Sequence, residues 1–267
     1  MSAYKIEAGT AQHIGNRPQQ NDRVALFTAA QAPGYVLAVL ADGNTGAIGA
    51  DQVLLTSKHL FDEFRAGDAA SLPRLQELLR AIALEAHEVI KMNPIAATAE
   101  PQSALALLIL TPQGQAVWAH VGDARVYRFA GETCAARSND DAYVQHLVTE
   151  DKLPPEAAKK HRSSRLLSNV LGNSFKAPFV TLGWHEGARA GDAFMLCSDG
   201  LWMLFKDAEL AAAVARNTPR QAAERLISKA AERAQGKGDN CSMAIIKLVA
   251  PPKEAPGYTV QKMRRAV

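Results

Sequence analysis

Cysteine is scarce: Cys134, Cys197 and Cys241 are odd in number, widely spaced and form no CxxC pair. That usage excludes a disulfide framework and a cysteine-rich zinc site, and it suits a reducing cytoplasm, the expected location. An excess of one charge is lacking as well, since 30 basic and 27 acidic residues leave a formal net charge of +3. So weak a field implies no nucleic-acid footprint. No stretch approaches the roughly 20 apolar residues of a membrane-spanning helix, and Met1 to Gly15 holds no apolar signal core. The expectation is a chain neither secreted through a signal peptide nor inserted in a membrane, working as a monomer. Hydrophobic residues at 48% and charged residues at 21% of 267 are the composition of an ordered, water-soluble body with a substantial core.

Apolar runs bounded by turn residues predict strands at 25–27, 34–40, 104–110, 116–121, 125–129, 179–184, 193–197 and 242–249. The runs 104–110, 116–121 and 125–129 read as an antiparallel meander. Three-to-four spacing of Val53, Leu54, Leu60 and Phe64, then of Leu75, Leu78, Leu79 and Ile82, predicts helices over 49–64 and 72–90. Two more are expected at 207–215 and 220–234. The span 138–173 is polar and broken by Pro154-Pro155; it reads as a surface excursion with one short helix at 155–161. Residues 251–267 read as a tail. This order suits an α+β layering, with helices outside sheets.

Four aspartates stand where strands run into glycine-containing turns: Asp42-Gly43, Gly122-Asp123, Asp199-Gly200 and Gly238-Asp239-Asn240. Any one alone is an ordinary turn dipeptide. Gathered along one edge, however, the carboxylates would repel each other unless cations neutralised them, and oxygen ligands favour Mg²⁺ or Mn²⁺ over zinc.

The set, in this order, resembles the metal-dependent, type 2C family of serine/threonine protein phosphatases, in bacterial form, from about Gly9 to Leu248. The opening motif is Gly15-Asn16-Arg17-Pro18-Gln19-Gln20-Asn21-Asp22-Arg23, the second Val39-Leu40-Ala41-Asp42-Gly43, and the third Val121-Gly122-Asp123-Ala124-Arg125. Leu196-Cys197-Ser198-Asp199-Gly200-Leu201 and Gly238-Asp239-Asn240 complete it. The resemblance implies an α+β four-layer αββα sandwich of two antiparallel sheets flanked by helix pairs. It implies one phosphatase catalytic domain over 1–250, with 138–173 as the flap beside the site.

It further implies two Mn²⁺ or Mg²⁺ ions, bridged by Asp42, with a Gly43 carbonyl ligand and with Asp199 and Asp239 on one metal. Asp123 would hold a weak third ion, Asp22 would orient water, and Arg17 would grip the substrate phosphate through its two-pronged guanidinium. The implied reaction is hydrolysis of phosphoserine and phosphothreonine in proteins by an activated water, opposing a serine/threonine kinase.

Departures from the pattern keep rivals open. Asn21 stands where an acidic residue is frequent, Asn44-Thr45-Gly46-Ala47 replaces a stretch that supplies a histidine, and Met203 replaces an aspartate. A catalytically silent, phosphatase-like module that binds phosphoproteins is the alternative, and a phosphatase of small phosphometabolites is a third reading. His13, His120, His146 and His161 are candidate replacement acids, although His120 alternates with apolar strand neighbours. Cys197 reads as a small core residue rather than a nucleophile. Lys159, Lys160, His161, Arg162 and Arg165 would either attract phosphorylated segments or solvate the flap.

Overall fold

The computed structural model describes residues 4–67, 70–93, 100–138 and 169–251. Among the described residues, ten strands form two antiparallel sheets. The first, in the order β2-β3-β4-β5-β8, contains β2 (Arg23–Ala29), β3 (Ala32–Gly43), β4 (Ser103–Leu110), β5 (Ala116–Val121) and β8 (Thr181–His185). The second, β1-β10-β9-β6-β7, contains β1 (Lys5–His13), β6 (Arg125–Ala130), β7 (Thr133–Arg137), β9 (Asp192–Cys197) and β10 (Cys241–Val249).

The two-residue period of a strand sorts each apolar run into two cores. Leu37, Val39 and Ala41 of β3 and Leu105, Leu107 and Ile109 of β4 face outward onto α1 (Ile48–Glu63) and α2 (Leu72–Met92). Their alternates Ala38, Leu40, Ala106 and Leu108 face inward, where they meet Phe194, Leu196, Ile246 and Leu248 of the other sheet. Every β4 residue is therefore buried, which is why its sequence is continuously apolar rather than alternating. The second sheet repeats the scheme, with Met195, Cys197, Met243 and Ile245 packed against α4 (Asp207–Arg216) and α5 (Pro219–Ala234). The result is the expected four-layer αββα sandwich.

Two expectations change. The stretch 104–129 is no meander: β4 pairs with β5, but β6 crosses to the other sheet and pairs with β9 and β7. Gly122, at φ +84°, turns the chain between them. Strands β1 and β7 lie outside the sequence expectation because both are sheet edges carrying few apolar residues, as in Lys5-Ile6-Glu7 and in β7, whose exposed face includes Thr133 and Arg137. A one-turn helix α3 (Asp199–Trp202) follows β9 directly. The expected helix at 155–161, nearly all of the excursion 138–173 and all but the first residue of the tail 251–267 lie outside the described residues.

Leu108 is fully buried in the layer between the sheets. Leu108→Ala should therefore lower the unfolding free energy by about 2–5 kcal/mol, measured by denaturant titration, through lost contacts and an unfilled cavity.

Candidate functional site

Antiparallel pairing brings five strand ends to one rim. Asp22 precedes β2 and Asp42 lies at the end of β3, where Arg23 pairs with Ala41 and Asp42 with Ala104. Asp199 follows β9 and Asp239 leads into β10, whose Met243 pairs with Cys197. Asp123 sits in the β5–β6 turn, where the chain passes from one sheet to the other, so the rims of both sheets meet there. Asp42, Gly43, Asp123, Asp199 and Asp239 line one cleft of about 330 Å³ with Arg17, Asn21, Asn44 and Asn240. The sequence-predicted carboxylates thus share one site, with Asp22 buried behind it.

Two of the glycines are steric necessities. A Cβ at Gly43 would stand 2.8 Å from the Asn21 carbonyl oxygen, and one at Gly200 would overlap the Asn240 carbonyl oxygen, because the chain crosses tightly at both points. Asp-Gly at 42–43 and 199–200 is therefore a close-approach signature as well as a turn signal.

Burial and mutual repulsion dominate the electrostatics. Loss of solvent, then the negative charges of Asp22, Asp199 and Asp123, push the Asp42 carboxyl well above the ordinary carboxylate range. Burial, then Asp123, Asp239 and Asp22, raise Asp199 to about 7. Asp22 is raised mainly by burial, offset in part by hydrogen bonds from Ser242, Ser198 and Asp42. Ser198 Oγ donates to Asp22 Oδ2 at 2.9 Å and accepts from the Ser242 amide at 3.0 Å. Among the described residues, no donor reaches the buried acceptors Asp22 Oδ1 and Asn21 Oδ1.

Arg17 is reached differently. It projects from the loop between β1 and β2, 59% exposed, and its guanidinium forks onto Asp239 with Nε–Oδ1 2.7 Å and Nη2–Oδ2 2.5 Å. That pair raises the Arg17 pKa further. Both Asp239 oxygens face Arg17, and among the described residues no three His, Cys, Asp or Glu side chains close into a ready metal cage. The rim is a gathered but open set of carboxylates.

The other candidates fall elsewhere. His13 is exposed, and its Nδ1 accepts the Gly15 amide at 2.9 Å. His120 is buried in β5. His146 and His161, with the basic cluster 159–165, lie outside the described residues. Cys197 is fully buried, and burial pushes its thiol far up, which suits a core residue and not a nucleophile. Met203 is 67% exposed, so packing beneath the Asp199 turn does not account for it.

Several residues at the site escape sequence reasoning. The Trp202 indole donates to the Asp123 carbonyl oxygen at 2.9 Å, tying the third motif to the fourth, and the Arg125 guanidinium lies 3.4 Å from the centre of its ring. Ser103 Oγ bonds the Asp42 carbonyl oxygen at 3.0 Å. Ser198 and Asn240 stand inside the quoted motifs next to Asp199 and Asp239, but nothing in the sequence shows their hydrogen-bonding roles, and Ser242 lies in an apolar run of β10.

An acid whose folded pKa is raised binds its proton more tightly in the folded state. The stability this gives is fully present below about pH 4 and lost as pH rises through about 7 for Asp199. Asp199→Asn should therefore raise the melting temperature of chelator-treated protein relative to the parent, and the difference should widen from pH 5 to pH 8. Thermal melts across that range check it.

No protein-family model matches the chain. The serine/threonine protein phosphatase PstP of Mycobacterium tuberculosis is 29% identical over 220 residues, covering 81% of this chain and 41% of PstP. The chain thus spans about two fifths of that relative's length. The serine/threonine phosphatase of S. agalactiae shares the fold, with a TM-score of 0.74 over 91% of this chain and 99% of that one at 21% identity. The catalytic domain of PstP, solved in complex with two manganese ions, aligns with a TM-score of 0.62 over 91% of this chain and 98% of that one at 25% identity. Motif order and sheet topology agree with these likenesses: the chain is similar in sequence to bacterial serine/threonine protein phosphatases and shares their fold.

Proposed function

We propose that the chain hydrolyses phosphoserine and phosphothreonine in proteins with two divalent cations, Mn²⁺ or Mg²⁺, held at the carboxylate rim, and that residues 1–250 are the unit that does so. The observation that carries this reading is the convergence of Asp42, Asp123, Asp199 and Asp239 on one cleft, with Asp22 behind it. Such crowding disfavours ionisation and costs stability unless cations occupy the rim. The pair of manganese ions in the PstP catalytic domain supports the same complement here.

The residues fit such ions. The donor set is all oxygen and hard, with no His or Cys among the cleft residues, and Asn21 Oδ1 and Asp22 Oδ1 are buried acceptors that want a donor. Asp42 would bridge the pair with the Gly43 carbonyl beside it, and Asp199 and Asp239 would complete one of the two. Asp123 would serve a third, weaker ion, to which Met203 contributes no charge. When bound, such ions supply Lewis acidity, bringing a water toward ionisation near neutral pH and countering charge on the phosphoryl oxygens.

The remaining work falls to side chains. Arg17 is exposed at the mouth of the cleft and carries a planar fork, so it binds two phosphate oxygens at once and orients the ester. To do so it must leave Asp239, which frees both Asp239 oxygens. Asp22 is buried, held by Ser198 and in hydrogen-bond contact with Asp42, and serves as a fixed acceptor that keeps the Asp42 carboxyl oriented. The partner is a phosphorylated protein, the target of a serine/threonine kinase, and the expected location is the cytoplasm.

Turnover of a phosphothreonine peptide should require added Mn²⁺ or Mg²⁺ and stop in EDTA; full activity in chelator would contradict the reading. Asp42→Asn should lower kcat by about 10²-fold or more with the melt not lowered, as removal of one preorganised charge-stabilising group does elsewhere. A phosphoprotein-binding module without catalysis would instead retain peptide binding and show no metal-dependent turnover.

A further inference from the structure

We propose that Asn240 is a positioning residue for Arg17: its carboxamide holds both ends of the loop 14–21 and so fixes where the guanidinium stands. The inference rests on the reading of Arg17 as the group that grips phosphate. Asn240 is 4% exposed. Its Nδ2 donates to the Ile14 carbonyl oxygen at 2.8 Å and to the Gln19 carbonyl oxygen at 3.0 Å, and its Oδ1 accepts the Asn21 amide at 2.7 Å. One side chain therefore satisfies backbone groups before and after Arg17.

The loop has few means of its own to keep a shape. Within it the backbone makes one weak turn bond, Arg17 N to Ile14 O at 3.4 Å, and Pro18 has no amide hydrogen to give. Beside the bonds from the Gly15 amide to His13 Nδ1 and from Arg23 Nη1 to the Gln20 carbonyl oxygen, each at 2.9 Å, further support comes from the same crossing segment. The Asn16 amide donates to the Gly238 carbonyl oxygen at 2.8 Å, and Asn16 Oδ1 accepts the Gly238 amide at 3.1 Å. Gly15, at φ +63°, packs so closely that a Cβ there would overlap the Asp239 carbonyl oxygen.

Only a carboxamide of this length offers two donors and an acceptor from one atom group; a carboxylate lacks the donors and a serine lacks the reach. Because Asn240 adjoins Asp239, it also fixes the distance between the Arg17 loop and the neighbouring carboxylate. The same residue thereby sets the phosphate grip against the cation site.

The test compares the parent with Asn240→Ala, Arg17→Ala and the double variant, on a phosphothreonine peptide at saturating Mn²⁺. Inorganic phosphate serves as competing ligand, and calorimetry gives Mn²⁺ affinity without substrate. Asn240→Ala is expected to raise KM and the phosphate inhibition constant by about three- to tenfold, the worth of one or two buried hydrogen bonds, with Mn²⁺ affinity unchanged. On the Arg17→Ala background it should add nothing further.

Full additivity in the double variant, or weakened Mn²⁺ affinity with the phosphate constant unmoved, overturns the proposal and returns Asn240 to a structural role. If Arg17→Ala alone changes neither constant, the reading of Arg17 fails and the proposal falls with it. Should Asn240→Ala not fold, Asn16→Ala removes the exposed arm of the same clamp and is judged by the same non-additivity with Arg17→Ala.

Discussion

Repulsion among buried carboxylates is the constraint on which this structure turns. A stable fold ordinarily keeps aspartates apart or pairs each with a cation, yet Asp22, Asp42 and Asp199 are raised above the usual carboxylate range, by burial first and by the charges of their neighbours second. The sandwich tolerates this because its energy is settled elsewhere, in three apolar cores made by the alternate faces of long strands. On the proposed reading, cations bound at the rim would offset that cost.

Placement of the rim follows from topology. Strands that pair antiparallel bring the start of one beside the end of the next, and the tight turn at Gly122 and Asp123, one of the places where the chain passes between sheets, brings the rims of both together. Local chemistry then refines positions: glycine at 43 and 200 admits a crossing backbone, Trp202 ties the Asp123 turn to α3, and Asn240 ties the Arg17 loop to the approach of β10. The site is a set of loops pinned to each other across the ends of a rigid double sheet.

Much of this was legible in sequence, and the boundary has physical causes. Buried central strands such as β4 declare themselves because both faces are covered, and α2 does so by its apolar stripe. Edge strand β1 does not, since none of its residues is fully buried and the polar Lys5, Glu7, Thr10 and Gln12 interrupt both of its faces. The destination of β6 was hidden because pairing with β9 is a choice between distant partners, and periodicity says nothing about it. Aspartates at turns with their family motifs were readable in number and order. The Asn240 carboxamide, which reaches across more than two hundred residues to the opening loop, leaves no periodic trace. Met203 stands where the resemblance expects an aspartate, and its exposure shows that core packing is not the reason for the exchange.

Mn²⁺ titration by calorimetry at pH 6, in buffers of different ionisation enthalpy, tests the central claim most directly. If crowded, partly protonated carboxylates are the cation site, binding must displace protons, and the apparent enthalpy will vary with the buffer in proportion to the protons released. The account predicts net release that shrinks as pH rises past about 7, where Asp199 is already ionised. Binding with no buffer dependence at pH 6, or no binding at all, would contradict it.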